Sequence, residues 1–213
     1  MLGNQAGCAQ YRSNVSMQVG GNEYKAFESP WPFRPDPELD AWRQRLRTRP
    51  SSEVSIREAT AVPQDGRRVW DLQVECEPIY VRSVRENVSM IAERVVLLAE
   101  IDKVHVGFCV SFPGYAASDP LFIRIVAVAP AVQRRGVGLA LLTAAAEREL
   151  GRNLALATQD TNIAARALNE RFANSIGASI RRVPLGTYSD RDLGIRRGDD
   201  YRAWVVRRKS STI

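Results

Sequence analysis

The sequence predicts a mixed α/β fold, and three observations predict it. A near-continuous apolar segment leads through a glycine turn into a run of helix formers. Upstream lies a hairpin of alternating apolar residues. Short strand-like and helix-like segments alternate along most of the remaining chain. The first observation is the most informative. Leu121 to Val128 is almost wholly apolar, as expected of a fully buried strand, and Pro130 stops it. Leu139 to Leu150 is rich in Ala and Leu, and Gly151 stands at the usual helix-stop position. Between the two lies Gln133-Arg134-Arg135-Gly136-Val137-Gly138.

Taken in order, residues 1–52 read as an extension and residues 53–213 as the domain. Met1 to Tyr24 is polar and glycine-dotted, a composition expected to be poorly ordered. Pro30, Pro32, Pro35 and Pro37 form an extended connector that carries Trp31 and Phe33. Glu38 to Arg47 has the spacing of a short helix with Leu39, Trp42 and Leu46 on one side, a face that needs burial on the domain or on a second subunit. Val54 to Thr60 alternates as a half-buried strand does. Arg67 to Val74 and Ile79 to Ala92 predict two helices separated by Pro78.

Val95 to Glu100 and Val104 to Phe112 predict a hairpin turning at Ile101-Asp102-Lys103. Strict alternation would put Val104, Val106, Phe108, Val110 and Phe112 on one face. His105, Gly107, Cys109 and Ser111 would then share the other. Beyond a loop bracketed by Pro113-Gly114 and Asp119-Pro120 come the strand 121–128 and the helix after it. A strand over Leu154 to Thr158, a helix over Ile163 to Ser175, and two strands around Val183 and over Tyr201 to Arg208 complete the domain.

Composition narrows the function. The 213 residues suit one domain with an extension, and 45% hydrophobic content supplies a sizeable core. No apolar run exceeds five residues, so no membrane span is expected. The three cysteines, Cys8, Cys76 and Cys109, are odd in number and far apart, which fits reduced thiols in a cytoplasmic protein. A single histidine, His105, argues against His-based metal clusters, so no metal is expected. The net charge of +6 is spread along the chain with acids interleaved. That pattern favours a solvated basic surface plus a phosphate site over a nucleic-acid groove.

The glycine stretch has a physical use. The first turn of a helix presents N–H groups without internal partners and the positive end of the helix dipole. Gly136 and Gly138 lack Cβ atoms, so an anion can approach the backbone, and Arg134 and Arg135 add positive charge. A Walker loop is excluded because Leu139-Ala140 stand where Lys-Ser/Thr would be needed. A dinucleotide fingerprint lacks its third glycine.

The pattern Gln133-x-x-Gly136-x-Gly138, with Val128-Ala129-Pro130 ahead and Leu141-Leu142 behind, resembles the core motif of the GNAT acetyltransferases. Leu98-Ala99-Glu100 with Lys103-Val104 and Gly107-Phe108 is similar to that family's hairpin, and Asn162-x-x-Ala165 to the opening of its later helix. The resemblance covers roughly three quarters of the chain. It implies the GNAT fold, a central mixed, mostly antiparallel sheet of about six to seven strands flanked by helices. It implies acetyl-CoA, or a related acyl-CoA, as co-substrate and transfer of the acyl group to a primary amine in a ternary complex.

By the same resemblance, pyrophosphate would sit on the backbone of Arg134, Arg135, Gly136, Val137, Gly138 and Leu139, beside Gln133. Pantetheine would pair with Val126 and Val128, the Val126 N–H polarising the thioester, and Asn162 would bond its far end. The residues read equally well with Asn162 as a helix N-cap.

The chain departs from the family where a tyrosine commonly protonates the thiolate, since Asn169 and Ala173 occupy the two possible places. Tyr188 is a weak substitute. Phe122 stands where one branch has a glutamate base, leaving Glu100 as a weak candidate and His105 as a weaker one, a surface position being favoured for it. Arg124 interrupts a buried strand and is expected to point into the cleft or pair with an acid. The acceptor would be a small molecule or a peptide amine, with a homodimer left open. Two further readings compete: a non-catalytic acyl-CoA-binding domain, and a toxin-type enzyme acetylating aminoacyl-tRNA.

Overall fold

The structure, a computed structural model, describes residues 36–48, 53–76, 79–196 and 198–209. The expectations for Met1 to Tyr24, for Trp31 and Phe33, for Pro30, Pro32 and Pro35, for Cys8 and for Pro78 lie outside the described residues. The elements in order are α1 (Pro37–Arg47), β1 (Ser55–Glu58), α2 (Pro63–Glu75), α3 (Val84–Glu93), β2 (Val95–Ile101) and β3 (Val104–Pro113). They are followed by β4 (Leu121–Val128), a 3-10 turn (Pro130–Val132), α4 (Val137–Glu147), β5 (Leu154–Gln159) and α5 (Ile163–Ser175). The chain closes with β6 (Ser179–Val183), α6 (Asp190–Leu193) and β7 (Tyr201–Arg207).

The seven strands form one sheet in the order β1-β2-β3-β4-β5-β7-β6. All neighbours are antiparallel except β4 and β5. β2 from Val96 to Ala99 and β3 from Val104 to Phe112 are buried throughout, because helices cover both faces of the sheet there. This is the mixed α/β architecture that the sequence predicts.

Helix boundaries differ from the expectation for identifiable reasons. α2 begins at Pro63, which fills the first helical position where its missing N–H costs nothing. α3 begins only after Ser83, whose side chain accepts from the Glu86 amide while Glu86 reaches back to the Ser83 amide. α4 starts two residues early, at Val137, and ends at Glu147. The short α6, capped by Ser189, carries too few residues to show a period and was not anticipated.

Two bulges break the expected alternation in β3 and β4. Ala99 pairs with Gly107 but Glu100 with His105, so Val106 is the extra residue. His105 and Gly107 therefore part company. A Cβ on Gly107 would meet Val137 and Leu141 of α4, whereas His105 meets α1 and α2. His105 is accordingly buried, not on the surface. On the other side Ile123 pairs with Ser111 and Ile125 with Val110, leaving Arg124 as the extra residue of β4.

α1 docks through the face that the sequence marks out. Leu39, Trp42 and Leu46 are buried in the main core cluster. The Trp42 ring stacks on His105 at 4.8 Å, and its Nε1–H donates to the His105 carbonyl at 3.0 Å. Arg67 of α2 donates to both Asp36, the N-cap of α1, and Asp71. An indole buried with its N–H satisfied is a strong anchor.

Candidate functional site

The site is built around β4. Its parallel pairing with β5 covers only Leu121 to Ile123, opposite Leu154 to Leu156. Beyond that point β5 continues beside β7, and β4 continues beside β3 alone. The sheet therefore opens between residues 124–128 and 157–159. This opening explains why Arg124, Ile125, Val126 and Val128 are only half-buried, against the expectation of a fully buried strand.

An open strand edge leaves backbone groups without partners. The Ala129 amide donates to the Val106 carbonyl, so it points at β3. Strand alternation then turns Ala127 and Ile125 toward β3, and Val126 and Val128 toward the opening. The Val128 carbonyl indeed accepts from the Gln133 side chain at 3.2 Å.

At the end of β4 the chain makes its glycine turn. Arg134 lies at φ 63° and Gly136 at φ 82°, both in the left-handed region. Gly136 is the N-cap of α4, and the first helical bond runs from the Ala140 amide to the Gly136 carbonyl. Among the described residues, no amide from Arg134 to Leu139 donates to a protein acceptor. The result is a concave row of N–H donors at a helix N-terminus, with Arg134 and Arg135 exposed beside it.

The two glycines have different reasons. A Cβ on Gly136 would meet nothing, so its hydrogen serves backbone conformation and approach from outside. A Cβ on Gly138 would come 2.9 Å from Leu168 Cδ2, so that glycine lets α4 close on α5. A groove along α4, lined by Ile56, Ala140, Thr143 and Arg148, lies on the β1 side and shares Gly136 and Leu139 with the turn.

Asn162 caps α5, its Oδ1 accepting from the Ala165 amide at 2.9 Å. The residue is exposed at the helix start. At the other end of the opening stands an aromatic wall. The Phe112 and Phe122 rings lie 5.4 Å apart, and Tyr188 meets Phe122 edge-on at 5.5 Å. The Arg94 guanidinium lies 3.9 Å over the Phe112 ring.

Glu100 is not brought to the opening. It sits at the hairpin end, where Arg57 donates to it at 2.9 Å, and its side chain is 13% exposed. His105 lies on the α1–α2 side, with Nε2 3.1 Å from Asp71 Oδ2. Burial pushes its pKa down despite the hydrogen bond to Asp71, so the ring is neutral with its proton on Nε2. Cys109 is buried in the sheet, and burial pushes its thiol up to about 12. It is no nucleophile at neutral pH. Arg82, Arg94 and Tyr80, which flank the same end as Arg124, were not singled out from the sequence. Their positions on either side of α3 carry no motif, and only the fold brings them to β4.

An opened parallel strand pair ending on a free row of helix N-terminal amides is the architecture of an acyl-CoA acyltransferase. The model of the Acetyltransferase (GNAT) family matches residues 66–173, about half of the chain, and the chain belongs to that family. Its members are N-acetyltransferases. Several solved structures share the fold. Diaminobutyrate acetyltransferase EctA from Paenibacillus lautus, in complex with L-2,4-diaminobutyric acid and coenzyme A, is 22% identical with a TM-score of 0.56, over 74% of this chain and 96% of that one. The ribosomal-protein-S18-alanine N-acetyltransferase from Escherichia coli is 20% identical with a TM-score of 0.53, over 75% and 97%. A GNAT family acetyltransferase from Elizabethkingia anophelis with acetyl-CoA bound is 17% identical with a TM-score of 0.51, over 75% and 100%. No curated protein sequence matches the chain. No helix among the described residues is long and apolar enough to cross a membrane.

Proposed function

We propose that the chain transfers an acetyl group from acetyl-CoA to a primary amine, with both substrates bound in the β4 opening. The observation that carries this reading is the continuity of unpartnered backbone. The amides of Val126 and Val128 face the opening, and the free amides of Arg134 to Leu139 continue it. A pantetheine arm is itself an amide chain and can pair with Val126 and Val128 as an added strand. Its pyrophosphate would fall on Gly136, Val137, Gly138 and Leu139, with Arg134, Arg135 and Gln133 at the rim. The side-chain amide of Asn162 would meet the arm from across the opening. The bound CoA and acetyl-CoA of two structural neighbours support this choice of co-substrate.

The chemistry asks little of side chains. The amine nitrogen attacks the thioester carbonyl, a C–N bond forms, and the C–S bond breaks with its electron pair going to sulfur. One amine proton leaves through water and the sulfur ends as thiol. A Val126 N–H aimed at the carbonyl oxygen would stabilise the developing oxyanion. Tyr188, on the aromatic wall, is the candidate nearest the opening for a proton-donating role, whereas Glu100 is held at the far end by Arg57. We take residues 53–213 as the transferase domain, with α1 of the extension docked on it.

The test is calorimetric titration of acetyl-CoA into wild-type and Arg135→Glu protein, followed by free-thiol release with a panel of amines. Arg135 is exposed, so reversing its charge leaves the fold alone. Gly136→Glu is the poorer probe, because φ 82° strains any L side chain by about 1–2 kcal/mol. Binding weakened at least tenfold in Arg135→Glu is the expected result. A folded wild-type protein that binds no acyl-CoA would remove the reading.

A further inference from the structure

Arg124 has Arg82, Arg94 and Arg191 as charged neighbours where β4 leaves β5, with α6, which carries Arg191, packed on β4, and among the described residues none of the four forms an ion pair. Arg124, the bulged residue, is half-buried. Its pKa is pushed down first by burial and then by the charges of Arg82, Arg94 and Arg191, while Asp192 pulls the other way. Arg94 is fixed over Phe112, and Gly194, just after α6, packs against the Arg124 stem. Other arginines of the chain, such as Arg57, Arg67 and Arg68, contact carboxylates at 2.7–2.9 Å. Concentrating unpaired guanidinium groups costs free energy through desolvation and mutual repulsion. A bound anion would offset that cost, and guanidinium groups match carboxylate and phosphate geometry.

We propose that the acceptor is a small amine carrying its own carboxylate or phosphate, and that Arg124, with Arg82, Arg94 and Arg191, holds this anion while the amine reaches toward Val126. The proposal rests on the acyl-CoA reading of the opening and specifies its acceptor. Arg124 precedes Val126 by two residues, about 6–7 Å along a strand. That spacing suits an amine and an anion a few bonds apart within one small molecule. The same cationic surroundings favour the neutral form of a bound amine. They would help supply the nucleophile at an opening to which the structure brings no carboxylate base from the sequence candidates.

The experiment has two arms, on the full chain. Inorganic phosphate and succinate are titrated calorimetrically into protein saturated with CoA, so that the glycine turn is already occupied, using wild type, Arg124→Gln and Arg191→Gln. Acetyl transfer is then compared within matched pairs, ethanolamine phosphate against ethanolamine and β-alanine against β-alaninamide. The expected result is anion binding that survives CoA saturation and weakens at least tenfold in Arg124→Gln, with CoA affinity unchanged. At least one anionic amine should exceed its neutral partner tenfold in kcat/KM, and lose that advantage in Arg124→Gln. Whichever anion gains the advantage distinguishes carboxylate from phosphate. Anion binding that disappears on CoA saturation, or is indifferent to both variants, overturns the proposal, as does preference for the neutral member of both pairs. Should CoA itself fail to bind, the acyl-CoA reading falls separately. Phosphate titrated into the protein alone then still decides the cluster: weakening by Arg124→Gln but not by Arg135→Glu upholds the anion site, and the reverse removes it.

Discussion

Two groups of arginines stand at opposite ends of this sheet, and they are treated differently. At the β2–β3 hairpin end, Arg57 makes a two-pronged contact with Asp65 at 2.8 and 2.9 Å and a third with Glu100, while Arg68 also reaches Asp65. Each buried carboxylate there has its cations, and the Thr60 amide adds a further bond to Asp65. At the β4–β5 end Arg82 and Arg94 lie over the Tyr80 and Phe112 rings, and Arg124 has Arg82, Arg94 and Arg191 as neighbours, with Asp192 nearby but outside ion-pair distance. A neutralised cluster stabilises the fold. A cluster left unneutralised is suited to binding something else. On the proposed reading, this contrast marks the acceptor end of the opening better than any single residue does.

The largest test of the contrast is Arg57→Ala. It would leave Asp65, 4% exposed in its side chain, with Arg68 and the Thr60 amide only. Breaking a buried pair typically costs 3–5 kcal/mol, and the remaining partners place this one near 3 kcal/mol or somewhat below. Urea unfolding measures it. A loss under about 1 kcal/mol would mean that the hairpin-end network is as dispensable as a surface ion pair.

The second test is acid. Burial alone would raise the Asp65 pKa, but hydrogen bonds from Arg57, Thr60 and Arg68 outweigh it and hold the carboxyl well below the usual carboxylate range. A group depressed on folding contributes stability that is fully present above its unfolded pKa, near 4, and is lost as pH falls toward the folded value. Thermal unfolding should therefore steepen its decline below about pH 4 in wild type, and less so in Asp65→Asn. Parallel declines in the two proteins would show that Asp65 is not the group responsible.

The same contrast explains what could be read from the sequence. The glycine turn was legible because its donors are consecutive: Gln133 to Leu139 bring their own backbone, and local rules for strands, glycines and helix starts suffice. The seven strands were legible because their apolar runs are short and bounded by turn residues. The arginine end was legible only at Arg124, which interrupts an apolar strand; Arg82, Arg94 and Arg191 come from three other segments, and an arginine in a sequence of this charge looks solvated until its neighbours are known. His105 was misplaced for a related reason. Strict alternation cannot foresee the bulge at Val106, nor that Trp42 would arrive from the extension to cover the ring.

A smaller effect is expected of Arg94→Ala. Its guanidinium lies 3.9 Å over Phe112, a cation–π contact worth about 1 kcal/mol at a half-buried position. The variant should lose about that much stability in urea and also lose affinity for the anionic acceptor. Loss of stability alone would assign Arg94 to the aromatic wall and leave anion binding to the other three.

The smallest stability change belongs to Arg124→Gln, and it is the one on which the comparison turns. Arg124 gives up hydration by its partial burial and lies near three like charges, with Asp192 as a partial counterweight. Glutamine keeps most of the stem that packs against Gly194 but removes the charge. Stability should therefore stay within about 0.5 kcal/mol of wild type, or rise, even as turnover of an anionic acceptor falls. Such a split separates a residue kept for a ligand from one kept for the fold. If Arg124→Gln instead destabilised the protein as Arg57→Ala does, the guanidinium would have a structural partner, and the two arginine clusters would be of one kind.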